Sequence, residues 1–147
     1  TQVSLRAVPP AIVVRRAEAA GRLWGKAHFF VVILPYHAPD HLEAHELVHV
    51  SQWWVSVAIS AAVLAGIAHM VPMVSYYVMA LSMGTFNIAY LLSSRFRYWA
   101  ELRAYTVSYL TDPSQIRTFA AALAGPQYGS GKSVIECTDA IFHRAGV

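Results

Sequence analysis

Hydrophobic and polar positions divide the chain into a mixed opening, a long apolar middle and a polar, amphipathic end. Ala11–Trp24 follows Pro9-Pro10 and has the composition of a helix with a proline start signal. Ala27–Pro35 ("AHFFVVILP") is rich in β-branched and aromatic residues and predicts a short strand, with a loop over Tyr36–Asp40. Asp40 is suited to cap a helix from His41, and Glu43, three residues on, completes the pattern of a capping box. Nothing interrupts that helix before the region of His69–Pro72. A second apolar stretch, Met73–Leu92, then runs into the polar "SSRFRYWAELRAY". Asp112-Pro113 opens a further helix that Gly125-Pro126 stops, and Ser133 with Glu136 caps a last amphipathic piece ending near His143. The pattern describes a mainly α protein with a short β element. It reads as one domain over residues 1–147, with regions 1–40, 41–106 and 107–147.

Composition sharpens the middle. The chain is 56% hydrophobic and only 13% charged, and no Asp, Glu, Lys or Arg occurs from Val50 to Ser94. An even spread would put roughly six charges there. Residues 50–94 therefore call for a membrane or other subunits to cover them. Trp54–Val71 and Met73–Leu92 are each near the length of roughly 20 residues that spans a bilayer, and small residues such as Ser60, Gly66, Ser82 and Gly84 allow close helix approach. A helix hairpin would place Trp53, Trp54, Tyr98 and Trp99 at a common interface. Arg15, Arg16, Arg95, Arg97 and Arg103 would lie on the same side, which the positive-inside tendency makes cytoplasmic. The competing reading is two helices buried by other subunits or by the terminal segments. The opening residues lack the pattern of a signal peptide. The net charge of +3 is small and scattered, so nucleic acid is not an expected partner. One cysteine, Cys137, excludes an internal disulfide and a multi-cysteine zinc site.

Chemistry concentrates in "DHLEAHELVHVSQWW", where His45-Glu46-Leu47-Val48-His49 has HExxH spacing. On a helix, residues four apart share a face, so His45 and His49 can both reach one ion. Glu46 falls beside that ion, where a general base must stand to deprotonate water. A catalytic zinc (Zn2+) site takes a third protein ligand and keeps one position open. If the chain reverses near Val71, His45 and His49 fall opposite residues 93–97 on the returning arm. Glu101 is then about one helical turn further along, and a kink at Gly84 or an asymmetric turn would bring it in as third ligand. Tyr98 and Tyr105 flank Glu101 at helical spacing and are candidate donors to an oxyanion. His41, one turn before His45, is placed to support a ligand or to face solvent.

"HELVHVSQW" followed by "ELRAY" resembles the gluzincin class of zinc peptidases. More narrowly, it is similar to short HExxH proteins of bacteriophage and prophage genomes, in which HExxH and a Gln precede a later Glu-x-x-Ala-Tyr. The resemblance covers about Leu42–Tyr105 and implies His45, His49 and Glu101 as zinc ligands, Glu46 as base, and a peptide or protein substrate. It departs from soluble members in its long apolar middle, and it has Tyr105 where many gluzincins carry an Asp that orients a ligand histidine.

Other metal chemistries fit less well. The spacing of His37, His41, His45 and His49 suggests histidine boxes, but only isolated His28, His69 and His143 remain to build others. A di-iron bundle needs two Glu-x-x-His pairs, and Glu46–His49 supplies one. "GPQYGSGKS" lacks the first glycine of a phosphate loop and follows a helix, so it reads as a turn. Met70, Met73, Met79 and Met83 read as packing. Two functions emerge: zinc-dependent peptide hydrolysis at a membrane, or a structural or membrane-interacting component, such as part of a phage particle, whose zinc site only stabilises. Hydrolysis leads, resting on His45, Glu46, His49 and Glu101, while the short chain, with little room for a cleft, speaks for the second.

Overall fold

The computed structural model describes residues 2–7, 9–17, 25–71 and 77–147. Strands β1 (Gln2–Ala7), β2 (Pro10–Arg16), β3 (Lys26–His28) and β4 (Val31–Pro35) form one sheet in the order β1-β2-β4-β3. β1 and β2 are antiparallel, β2 runs parallel to β4 with Ile12 opposite Val31, and β3 returns antiparallel along β4. The helix expected over Ala11–Trp24 is thus a strand through Arg16, and residues 18–24 lie outside the described part. The β-branched run Ile12-Val13-Val14 favours a pleated surface. Ala11 and Val13 turn to the core with Val32 and Leu34 of β4, all nearly or fully buried. The strand expected over Ala27–Pro35 is also two strands. They are divided at Phe29, whose φ of 56° places a bulky residue in the left-handed region.

Helix α1 (Asp40–Ala68) carries the HExxH residues across the buried face of the sheet, where Leu42, Leu47 and Val50 pack on β2 and β4. Its start agrees with expectation, but the capping box does not form. Pro39 is the N-cap, with no side-chain cap bond, and its carbonyl accepts from Leu42 and Glu43 N–H. Glu43 instead pairs with the Arg15 guanidinium of β2. A partly buried ion pair between sheet and helix outcompetes a cap that water would weaken.

Helix α2 (Val78–Leu92) packs on α1, and helix α3 (Ser94–Thr111) follows after a single extended residue, Ser93. Contacts pass from Ser60–Ser82 through Trp53 with Phe86 to His49–Tyr90, so α1 and α2 run antiparallel. The turn expected around Pro72 and the start of the second apolar stretch at Met73 lie outside the described residues. α2 continues through Gly84 without a break. The redirection comes at Ser93 (φ −118°, ψ 108°), whose Oγ caps α3 by accepting from Phe96 N–H at 3.2 Å.

Ala100 and Ala104 on α3 are fully buried and let its backbone approach α1 closely. Asp112 and Pro113 open a short 3-10 turn (Pro113–Gln115) into helix α4 (Ile116–Leu123). A second 3-10 turn (Pro126–Tyr128), with Gly129 and Gly131 in left-handed conformations, leads to helix α5 (Val134–Ala145). The expected box of Ser133 and Glu136 is fully formed there. Phe119, Leu123, Cys137 and Ile141 make a second core against the Tyr98, Leu102 and Tyr105 face of α3.

Candidate metal centre

α1 and α3 cross where His45, His49 and Glu101 converge. Ligand-capable atoms of these three residues all lie within 4.8 Å of one another. His45 Nε2 and His49 Nε2 are 3.3 Å apart. Each is 3.4 Å from a Glu101 oxygen, Oε2 for His45 and Oε1 for His49. A tetrahedral ion about 2.0–2.1 Å from each donor sets donor–donor edges of about 3.3–3.4 Å. The two Nε2 atoms have that spacing, and each histidine meets a different Glu101 oxygen at it.

The hydrogen bonds behind the imidazoles set their tautomers. Gln52 Nε2 donates to Ala100 O at 3.0 Å, so Gln52 Oε1 is left to accept from His49 Nδ1–H at 3.1 Å. Ser108 Oγ has carbonyls of His41 and Ala104 within reach as acceptors. Its lone pairs then accept from His45 Nδ1–H at 3.3 Å. Both Nε2 atoms consequently turn lone pairs toward each other and toward a carboxylate. Three acceptors at this spacing hold together only around positive charge, a metal ion or protons. Glu101 is held well below the usual carboxylate range. Burial acts to raise its pKa, but the hydrogen bonds and charge of His45 and His49 outweigh it. His49 is raised, because the Glu101 carboxylate overcomes the opposing effect of burial.

Glu46 stands beside the cluster. Burial, the largest influence, raises its pKa; His45 and His49 oppose the rise and Glu101 adds to it. The backbone of Ala27 donates to Glu46. Gly25 crosses so closely that a Cβ there would lie 2.6 Å from Glu46 Oε1. The start of β3 thus forms a lid over the carboxylate. These residues border a cleft of about 810 Å³ that also reaches Tyr90, Tyr105 and Tyr128. That volume is ample for a few residues of substrate, against the expectation that so short a chain has little room for one.

The other expected site residues separate. Tyr105 lines the cleft with its ring edge-on to His45, centroids 4.5 Å apart. Tyr98 faces α5, its Oη 4.0 Å from Cys137 Sγ, and does not line the cleft. His41 lies 3.4 Å from Asp112 and edge-on to Phe119; its carbonyl, rather than its ring, supports the centre through Ser108. Ser108 and Gln52 hold the two imidazoles in orientation.

Four contributors escaped sequence reasoning, three of them without a local signal. Tyr90 donates from α2 to Glu101 Oε1. Tyr128 reaches the cleft from the second 3-10 turn, with its Oη 3.5 Å from Tyr105 Oη. Burial raises the pKa of both Tyr105 and Tyr128, which keeps them protonated. Gly25 is the third, and nothing local in the sequence marks it. Ser108 did leave a signal, since Glu101, Tyr105 and Ser108 share one face of α3. No family model, curated protein or solved structure matches this chain.

Proposed function

We propose that this protein is a zinc-dependent hydrolase of peptide bonds, with the metal centre at the polar end of an apolar hairpin formed by α1 and α2. The carrying observation is the convergence of His45 Nε2, His49 Nε2 and the Glu101 carboxylate, a group that could hold a metal ion, with Glu46 beside it. Zinc held there would lower the pKa of a bound water and polarise a substrate carbonyl. Glu46 takes the proton of the attacking water and passes it to the leaving amine. Its carboxylate is steadied by Ala27 N–H and by the Gly25 backbone packed on it. Tyr105 and Tyr128, protonated and lining the cleft, are the donors available to an oxyanion. β3 ends the sheet and borders the cleft, so its outer edge suits a substrate strand paired in extended form.

The test pairs metal analysis with cleavage of a peptide library. Glu46→Gln is expected to keep zinc and lose cleavage, and Glu101→Ala to lose zinc. Full cleavage by Glu46→Gln would overturn the mechanism. A second reading follows from the position of the cluster between α1 and α3, where an ion would tie the two helices together. Stoichiometric zinc with no turnover of any peptide would favour that stabilising role.

A further inference from the structure

Beyond Trp54, α1 leaves the sheet and α3 behind. Val55, Ile59, Val63 and Ile67 project at four-residue intervals, and Met70 is 86% exposed. Ala58, Ala62, Ala65 and Gly66 are exposed between them, so apolar surface covers most of the circumference. A core helix of a soluble protein can be equally apolar, but it is mostly covered. Here only 17% of the most apolar 18-residue window of α1 is buried. Tyr77, Leu81 and Ile88 extend the same surface onto α2.

Three hydroxyls of this arm bond back to carbonyls of their own helix. Ser60 Oγ donates to Ser56 O at 2.6 Å, Ser82 Oγ to Val78 O at 2.6 Å, and Thr85 Oγ1 to Leu81 O at 2.8 Å. A hydrocarbon surrounding demands that internal pairing, because it offers no partner of its own. No residue from Val50 to Ser94 is charged. From Trp54 to Ala68, where α1 ends, a helical rise covers about 21 Å, against about 30 Å of bilayer hydrocarbon.

At the base of the arm the surface changes character. Phe29, on the strained turn between β3 and β4, is 44% exposed and stands edge-on to Trp53. Trp54 is also partly exposed, and its indole N–H donates to Pro10 O. Leu91 and Leu92 are exposed at the end of α2, and Arg95 lies three residues on, in the first turn of α3. Arg95 and Lys132 border one small cleft whose lining contains no carboxylate.

We propose that the arm beyond Trp54 is inserted into a lipid bilayer, with Phe29 and Trp54 at the interface and Arg95 and Lys132 against anionic headgroups. A second copy of the chain would cover one face of the arm and leave the rest in water. It would also bring identical basic rims together, whereas anionic lipid neutralises them. The aromatic–basic boundary beneath an uncharged arm matches the layered polarity of a membrane surface. His49 is five residues from Trp54, about 7.5 Å along α1, so the metal centre is held at the bilayer surface. The inference is independent of whether that centre turns over.

The test is flotation of the full chain, purified in detergent and reconstituted with vesicles of phosphatidylcholine, alone or mixed with phosphatidylglycerol. The chain is expected to float with the vesicles and to resist both high salt and alkaline wash. Paired substitutions Ile59→Glu and Val63→Glu are expected to abolish flotation while zinc content stays at the wild-type level, which reports an intact domain. Arg95→Glu and Lys132→Glu are each expected to weaken binding to the mixed vesicles by about five-fold or more, with little change on phosphatidylcholine alone. Release by salt, flotation of the double glutamate variant, or a detergent-free soluble oligomer that ignores vesicles would each overturn the proposal.

Discussion

Replacing Gly25 by alanine drives a methyl group into the carboxylate of Glu46. A Cβ at this position would sit 2.6 Å from Glu46 Oε1, 2.8 Å from Cγ and 3.0 Å from Cδ. Carbon atoms in good contact are about 3.5 Å apart, so the Glu46 side chain must retreat by roughly 0.7 Å. The α1 backbone beneath it is held by the sheet and α3 and has little freedom to follow. Gly25 does not occupy the left-handed region, so the whole effect is contact rather than backbone strain. A misplacement near 1 Å costs a catalytic group about 100-fold in rate. Gly25→Ala is therefore expected to lower peptide cleavage by about that factor and to lose about 1–3 kcal/mol of stability from overpacking. Zinc content should be unchanged, because the three ligands lie outside the contact. Cleavage of a fluorogenic peptide, metal analysis and thermal unfolding measure the three quantities. Wild-type cleavage in a folded, zinc-loaded Gly25→Ala protein would refute the placement of Glu46 as base under the β3 lid.

Three other outcomes follow from the same geometry. Gln52→Leu removes the acceptor for His49 Nδ1–H and is expected to weaken zinc binding by about 10–100-fold in chelator competition; an unchanged affinity would mean that Gln52 only links α1 to α3. Chelation of the metal should lower the unfolding temperature, since a ligand at 100 times its Kd stabilises by about 2.7 kcal/mol, and the Glu101→Ala protein should be insensitive to chelator. Glu136 has a lowered pKa in the folded state, because it accepts from the backbone and side chain of Ser133. Its contribution is thus present above its unfolded pKa and lost as pH falls through the folded value, so Glu136→Gln should flatten the acid side of the stability–pH curve.

Local features were legible where they needed no distant partner. The α5 box of Ser133 and Glu136, the Asp112-Pro113 start and the Gly125-Pro126 stop each act within one turn of chain, and each forms as expected. The box at Asp40 and Glu43 has the same local pattern but fails, because Arg15 offers Glu43 a partner from another element. The helix expected over Ala11–Trp24 also gives way to pairing with other elements, as strand β2 through Arg16. The β-branched run Ile12-Val13-Val14 leans to the extended form, and β1 and β4 on either side complete its hydrogen bonds.

For the site, the HExxH spacing by itself determined that His45 and His49 share a helix face with Glu46 beside them, since helical periodicity needs only neighbouring residues. The absence of Asp, Glu, Lys and Arg marked residues 50–94 as a distinct apolar segment. The tertiary structure decided the rest. The break at Ser93 brings Glu101 to the histidines, and Gln52 and Ser108 turn both Nε2 atoms inward. Tyr90 arrives from the apolar arm, and Gly25 closes over Glu46. These contacts join residues far apart in sequence, and their geometry is set by the packing of whole helices and strands, which no short motif encodes.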